Sequence, residues 1–240
     1  MPVIGYKHLR VEGFPEIAPN QPFQTATQLT LPDLGDDTLH SIVRYLGPSE
    51  HSAFHKFHVE HETLRSLRVR FQNIQRDQVI AIIHFNMFRS EEQGHFWVGT
   101  KNKHAMELFA NVQTTHPHLT VQSRNVDLMA LRQQARDVSG GWFKDLQLRG
   151  VRAAGIFGPG VGESDEWTRY EQAGDLSAVT LDFMYRGDHH SAMVTKDGGI
   201  VVYANFTEED QLRFLEEVNK AVKPVSTPVE PVSLARWRQS

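Results

Sequence analysis

Residues 176–218, LSAVTLDFMYRGDHHSAMVTKDGGIVVYANFTEEDQLRFLEEV, carry the pattern that decides the fold. Apolar and polar side chains alternate over residues 176–184, which is typical of a strand, and residues 191–195 and 200–203 predict two further strands. Thr207 then provides a cap for a helix whose apolar positions recur at steps of three and four. The segment therefore predicts a three-stranded antiparallel meander followed by a helix.

The same order of elements is predicted earlier in the chain, over residues 67–112. Alternation that begins at Leu67, an aliphatic run at 79–83 and the sequence HFWVG at 95–99 predict three strands, and residues 103–112 predict a helix. The offset between the two copies is roughly 105 residues, which suits a duplicated half-domain. The alternative, that a common α+β unit occurs twice by chance, stays open. Either way we predict an α+β fold of antiparallel sheet and helices with two meander-plus-helix halves.

The N-terminal quarter shows two other patterns. Prolines recur at short intervals within residues 1–35 and remove backbone donors, so this stretch predicts extended loop with at most short strands. Apolar residues from Leu39 to Leu46 recur at helical spacing before Gly47-Pro48, and residues 49–64 predict a second helix. The chain then divides into an N-terminal loop and helical segment (1–64), a basic α+β half (65–140), an acidic α+β half (141–222) and a proline-rich tail (223–240).

Charge is distributed unevenly along the chain. The formal net charge of the 240 residues is -4, but residues 65–152 carry 13 Lys+Arg against 7 Asp+Glu, whereas residues 153–240 carry 8 against 14. Most of the central cations are arginines, whose planar guanidinium binds carboxylate or phosphate in a bidentate manner. The sequence therefore predicts that the central third contacts an anionic partner, either nucleic acid or an acidic protein surface.

Basic residues make up most of the predicted binding set, and the aromatic residues Phe96, Trp97, Trp142 and Phe143 are candidates for stacking on bases. In the alternative account, the basic segment pairs with the acidic C-terminal third, within the molecule or across a homo-oligomer. The central cations also include Lys144, Arg149 and Arg152. The residues predicted to bind the partner are Arg68, Arg70, Arg76, Lys101, Lys103, Arg124, Arg132, Arg136 and Trp237.

The C-terminal tail has its own pattern. Prolines recur every three or four residues from 224 to 231, which predicts a stiff extended spacer. The spacer leads to Trp237, which Arg236 and Arg238 flank, and Trp and Arg dominate interface hot spots. This pattern therefore predicts that the tail binds a partner protein. The alternative, that the tail folds back onto its own chain, is equally open.

Histidines provide the alternative to a purely binding role. The pattern His-x-Thr/Ser begins at His61, His118 and His189, and it is similar to the paired signature of the two-histidine phosphoesterases. The resemblance implies two related α+β halves and a histidine pair that serves as general base and general acid on a cyclic or 2′-phosphate ester. We predict a non-enzymatic binding or assembly protein with no assigned catalytic residue, and this phosphoesterase is the alternative.

A second histidine pattern concerns metal binding. His51, His55, His58 and His61 are spaced by four, three and three residues, so on a helix they would form one stripe of imidazoles. A partly exposed polar face explains the same stripe, and the order His-Glu-x-x-His does not occur. The sequence therefore predicts no metal and no cofactor, and it leaves open whether residues 51–61 bind a metal.

The absence of three sequence features predicts where in the cell the protein is located. It contains no Cys, which excludes disulfides and zinc–thiolate sites. The first residues do not resemble a signal peptide, and the aliphatic run at residues 79–83 is far shorter than the ~20 residues of a membrane span. We therefore expect a cytoplasmic protein that does not contact a membrane.

Overall fold

The protein folds as antiparallel sheet and α-helices, and the computed structural model describes residues 4–31, 35–71, 74–90, 94–135, 137–227 and 230–237. The strands are β1 (Ile4–Glu12), β2 (Phe23–Leu31), β3 (Gly35–Pro48), β4 (Phe54–Phe71), β5 (Ile74–Ser90), β6 (His95–Val98), β7 (Thr120–Ser123), β8 (Val138–Leu148), β9 (Val151–Phe157), β10 (Asp175–Tyr185), β11 (Asp188–Thr195), β12 (Gly199–Val202) and β13 (Glu230–Pro231). The helices are α1 (Asn102–Thr115), α2 (Leu128–Gln134), α3 (Asp165–Ala173) and α4 (Glu208–Val222). These elements confirm the predicted α+β class with antiparallel sheet.

The chain forms two compact units. The N-terminal unit comprises Leu9–Gln122 and Pro231–Ser240, and the C-terminal unit comprises Met1–His8 and Ser123–Glu230. Strand β1 contributes its first residues to the C-terminal unit, where they pair with β12, and its last residues to the N-terminal unit, where they pair with β7. The four-segment division that charge and composition suggest stays a prediction.

In the N-terminal unit, β2, β3, β4, β5 and β6 pair in sequence order. The alternation of β4 identifies the face that meets the core, because Phe57, Val59, His61 and Thr63 are buried while the residues between them are partly exposed. Helix α1 packs on this face and is buried along residues 105–112. The core of the unit therefore lies between the sheet and α1.

In the C-terminal unit, the strands pair in the order β1-β12-β11-β10-β8-β9. Helix α3 lies on one face, where the indole of Trp167 covers Gly141 so closely that a Cβ would stand 2.4 Å from the ring. Helix α4 lies on the same face, where the ring centroid of Phe214 is 6.2 Å from that of Phe183. Gly141 pairs with Val179, and Val179 and Phe183 share one side of β10, so the strand register ties both helices to this face.

Both predicted meander-plus-helix halves are present. Strands β4, β5 and β6 pair in chain order and precede α1, and strands β10, β11 and β12 pair in chain order and precede α4. Strands β3, β8 and β9 extend the sheets beyond these halves, and the sequence pattern does not predict them. Strands β1 and β2 extend the sheets as well, and with nine residues each they correct the prediction of loop with at most short strands for residues 1–35.

The helices predicted within residues 36–64 are wrong, because the chain forms β3 and β4 there. Leu39, Ser41 and Val43 are the buried residues of β3, and they alternate with more exposed neighbours. Since the middle buried position is a serine, the apolar residues that remain visible in the sequence are four apart and imitate helical spacing. Leu46, which the prediction places on the apolar helix face, is exposed.

Helix α4 lies where the sequence predicts a helix after Thr207. The hydroxyl of Thr207 accepts a hydrogen bond from the Asp210 amide at 3.2 Å and so caps α4, and Asp127 caps α2 in the same way. Within the described ranges, no helix has both the length and the apolar character that crossing a membrane requires.

Candidate functional site

Two neighbouring strands of the C-terminal unit, β8 and β9, present aromatic rings to solvent. Trp142 and Phe157 are 43% and 56% exposed, and their ring centroids are 5.4 Å apart at an interplanar angle of 70°. Glycines make room for both rings, since a Cβ at Gly140 would stand 2.6 Å from the Phe157 ring and one at Gly155 would stand 3.0 Å from the Trp142 ring. Each ring therefore lies close to a glycine of the sheet, and the two rings are nearly perpendicular to each other.

Two further side chains extend this surface to β10 and the end of β12. Met184 is 58% exposed and Tyr203 is 38% exposed. Trp142 directly follows Gly141, and Met184 directly follows Phe183, so strand alternation places both on the side opposite to α3 and α4. We name this surface the open face and define it as Trp142, Phe157, Met184 and Tyr203.

Tyr203 adds a polar group to the open face. Its hydroxyl donates to the sulfur of Met193 at 3.7 Å. Burial raises the pKa of the Tyr203 phenol, and the hydrogen bond with Thr180 opposes that rise. The hydroxyl is therefore protonated at neutral pH, and its single proton is directed to the Met193 sulfur.

Three cations of the central third accompany the rings. Lys144 follows Trp142 by two residues on β8 and shares its side of the sheet, and Arg149 and Arg152 lie where β8 turns into β9. All three are exposed, and none forms an ion pair with another described residue. Asp175 is the register partner of Lys144, but their side chains form no ion pair. We name Lys144, Arg149 and Arg152 the hairpin cations.

The structure places the cations predicted as binding residues in different surroundings. Lys101 is exposed immediately before α1, and Lys103 Nζ lies 3.4 Å from Glu107 Oε1 within that helix. Four predicted cations have side chains outside the part of the chain that the structure describes, namely Arg68, Arg70, Arg76 and Arg136.

Two predicted cations are engaged in contacts within the C-terminal unit, one of them buried and the other half-buried. Arg124 is buried, and it donates to Asn219 and contacts His8 Nδ1 at 3.0 Å. Burial lowers the pKa of the Arg124 guanidinium. Arg132 forms an ion pair with Glu171 at 2.8 Å, which is the pairing of central cation and C-terminal carboxylate that the alternative account predicts. Neither guanidinium belongs to the open face.

The structure corrects the set of aromatic residues proposed for stacking. Phe96 and Trp97 of β6 are buried, and so is Phe143, which packs under Trp167 at a centroid distance of 5.0 Å. A ring without an accessible face cannot stack on a base. Trp142 is the one member of the predicted set of four that is exposed, and Phe157 joins it from a strand that the sequence does not predict.

The described part of the tail folds back onto its own chain. The Val232 amide donates to the Val121 carbonyl at 2.7 Å, Leu234 is buried, and Trp237 packs against the core of the N-terminal unit. This contact is the second of the two alternatives that the sequence leaves open. Trp237 is consequently not part of the surface that we propose below.

A buried polar network lies between the sheet of the N-terminal unit and α1. His61 Nδ1 is 2.8 Å from Ser41 Oγ, and His61 Nε2 is 3.5 Å from Glu107 Oε2. Thr63 donates to Glu107 at 3.1 Å, and His104 Nδ1 lies 3.3 Å from the same carboxylate. Burial by itself would raise the pKa of Glu107, but the hydrogen bonds from both histidines, a neighbouring lysine charge and the threonine hydroxyl hold it well below its usual range.

Ser41, His61 and Glu107 follow the order of groups in a serine-hydrolase relay, yet the relay is closed to a substrate. All three residues are buried, and the Asn111 amide donates to Ser41 Oγ at 3.2 Å. A nucleophile must reach the carbonyl that it attacks. The network therefore joins β3, β4 and α1 as a structural element.

The histidines of the phosphoesterase alternative lie in different surroundings. His61 is buried within β4, His118 is exposed in the loop between α1 and β7, and His189 is exposed on β11 in the other unit. A general base and a general acid must both reach one ester. Two clefts in the C-terminal unit, of about 480 and 410 Å³, are lined by no histidine among the described residues. No observation therefore favours this activity.

No family model matches the chain, and no curated protein is similar to it at a significant level. The fold and the surface define its class as an α+β protein with an exposed aromatic sheet face and adjacent cations.

Proposed function

We propose that this chain is a non-enzymatic binding protein whose central cations contact an anionic partner, and that the partner is single-stranded nucleic acid on the open face. The observation that carries the proposal is the pair of exposed rings, Trp142 and Phe157, with the exposed Lys144 on the same side of the sheet. The exposed Arg149 and Arg152 lie at the end of the same hairpin, and all three cations are outside any described ion pair. Aromatic rings that stack on bases, together with basic side chains that contact the phosphates, are the usual means of binding single strands.

Unpaired bases suit the open face better than a duplex or an acidic protein does. In a duplex the base faces stack on one another, so Trp142 and Phe157 would have no planar partner. An acidic protein surface would satisfy the hairpin cations but would leave both rings without a specific role. Gly140 and Gly155 leave room for both rings close to the sheet, where a strand of bases can contact them.

The electrostatic contribution to this binding is small. For single strands, log K falls with log salt by about 0.7 per phosphate contact, so three hairpin cations give a slope of about -2. The net charge of -4 opposes nonspecific attraction of a polyanion. Stacking must therefore supply much of the affinity, at about 1–3 kcal/mol per base.

Fluorescence anisotropy of labelled single-stranded DNA and RNA, each of about 12 nucleotides, tests the proposal at low salt. We expect the double substitution Trp142→Ala, Phe157→Ala to weaken binding at least about 10-fold, since it removes two stacking contacts. Lys144→Ala with Arg149→Ala should reduce the salt slope by about 1.4. Arg169→Ala is the matched control, because Arg169 is exposed on α3 and not on the open face.

Two results overturn the proposal: no oligonucleotide binding at low salt, or binding that the aromatic double substitution leaves unchanged. Circular dichroism of each variant confirms that the fold is intact. Binding of a polyglutamate peptide without any oligonucleotide binding would assign the hairpin cations to an acidic protein surface instead. Homo-oligomerisation remains a separate prediction, which sedimentation equilibrium tests.

A further inference from the structure

We propose that His58, Glu60 and His84 bind a divalent transition-metal ion, with Zn²⁺ as the reference, on the N-terminal unit. His58 and Glu60 are two residues apart on β4 and share one side of the sheet, and His84 is the register partner of Glu60 on β5. One nitrogen or oxygen of each residue lies within 4.8 Å of those of the other two. The strand pairing therefore brings three metal-binding side chains together.

The two imidazoles already have the separation that a shared ion requires. His58 Nε2 lies 3.4 Å from His84 Nδ1. Two nitrogens bound at about 2.05 Å to one tetrahedral ion are roughly 3.3 Å apart. The ring centroids are 5.6 Å apart, so the rings meet edge to edge with the two nitrogens facing each other. A small rotation of both rings directs their lone pairs to an ion between them.

Neighbouring side chains hold two of the ligands in a suitable state. His58 Nδ1 lies 3.4 Å from Asn86 Oδ1, and because an amide oxygen only accepts, this contact favours a proton on Nδ1 and a lone pair on Nε2. Arg44 donates to Glu60 Oε1 and orients the carboxylate, which leaves Oε2 for an ion. Outer contacts of this kind are typical of metal-binding histidines and carboxylates.

The ligand set indicates the kind of ion. Two imidazole nitrogens and one carboxylate oxygen suit Zn²⁺ and its neighbours in the first transition series, whereas Mg²⁺ and Ca²⁺ prefer oxygen ligands alone. His58 and Glu60 are half-buried and His84 is exposed, so water can occupy the remaining coordination position. The proposal uses no residue of the open face and is independent of nucleic-acid binding.

Isothermal titration calorimetry, in which the untagged full chain is titrated with ZnCl₂ alone, tests the site. We expect one equivalent to bind, and His58→Ala and His84→Ala each to weaken binding at least about 10-fold. In parallel, Zn²⁺ should raise the urea midpoint of the wild-type chain but not of either variant, because an ion that binds only the folded state stabilises it. His189→Ala is the matched control, since His189 is an exposed histidine on β11 outside the cluster.

Co²⁺ provides a second measurement that does not depend on affinity, because its visible absorption reports the coordination geometry. We expect nitrogen-ligated Co²⁺ bands in the wild-type chain and in His189→Ala, and their loss in both cluster variants. Failure of the wild-type chain to bind Zn²⁺ overturns the proposal. Equal binding by the wild-type chain and both cluster variants, or a matching loss in His189→Ala, overturns it as well, because the ion would then lie elsewhere.

Discussion

His61 Nε2 lies 3.5 Å from Glu107 Oε2 in the interior of the N-terminal unit, and both side chains are buried. A buried carboxylate is tolerated when hydrogen bonds and opposite charges replace its hydration. Thr63, His104 and Lys103 complete these contacts around Glu107. Strand β4 and helix α1 are therefore joined by a polar network as well as by apolar packing.

Glu107→Gln should destabilise the N-terminal unit. The substitution keeps the size of the side chain but removes the charge that His61, His104 and Lys103 contact, so we expect a loss of about 1–3 kcal/mol in the free energy of unfolding. Urea unfolding at neutral pH measures the loss. Glu163→Gln, at an exposed glutamate, is the control and should change stability by less than about 0.5 kcal/mol. Equal effects of the two substitutions would contradict a stabilising role for the network.

The same carboxylate predicts how stability responds to acid. Its pKa is well below the usual range in the folded chain and ordinary in the unfolded chain, so its contribution is complete above about pH 4.3 and is lost as the pH falls through the lower folded value. We expect the difference in unfolding free energy between the wild-type chain and Glu107→Gln to shrink between pH 5 and pH 3. A difference that stays constant over this interval would show that the carboxylate is not selectively stabilised.

The C-terminal meander-plus-helix half can be predicted because its buried strand positions are mostly apolar and its helix, α4, has a visible cap at Thr207. Strand β3 and the first part of β4 cannot be predicted in the same way. Ser41, His61 and Thr63 occupy core positions there, and their burial depends on the hydrogen bonds of the network with α1. Because these polar residues find their hydrogen-bond partners only in the folded state, the alternation of apolar and polar positions that marks a strand is not visible in the sequence.

The candidate sites were accessible to sequence analysis only in part. Trp142 is a predicted stacking residue, but its partner Phe157 becomes recognisable only from the pairing of β8 with β9. His58 belongs to the histidine-rich stretch, yet its neighbour His84 lies on β5 and requires the strand register. In the sequence, Arg124 looks like an ordinary surface arginine. Only its contact with Asn219 in the folded chain reveals that it is buried. Long-range pairing decides each of these cases.

The third prediction concerns a buried lysine of the C-terminal unit and its ion pair with an aspartate. Lys7 Nζ lies 3.3 Å from Asp197 Oδ2, burial lowers the pKa of Lys7, and the Asp197 charge opposes that shift. Asp197→Asn should cost about 2 kcal/mol, because it leaves the buried ammonium without its counter-charge. Adding Lys7→Met should recover part of this loss, since the unpaired charge is then gone. Urea unfolding of the single and double variants gives the coupling, and strictly additive costs would contradict the ion pair.

Gly140 and Gly141 are neighbours on β8 that carry rings on opposite sides, and alanine at each position tests that assignment. A Cβ at Gly141 would stand 2.4 Å from Trp167, which α3 holds buried against the sheet and which cannot move aside, so we expect Gly141→Ala to cost about 1–3 kcal/mol. A Cβ at Gly140 would stand 2.6 Å from the Phe157 ring. Because that ring is exposed and can turn into solvent, Gly140→Ala should cost less than about 1 kcal/mol while lifting Phe157 off the open face. Urea unfolding compares the two costs, and oligonucleotide anisotropy should show weaker binding for Gly140→Ala. Equal costs would contradict the assignment of Phe157 to an exposed position where its ring can move aside and of Trp167 to a buried position where it cannot.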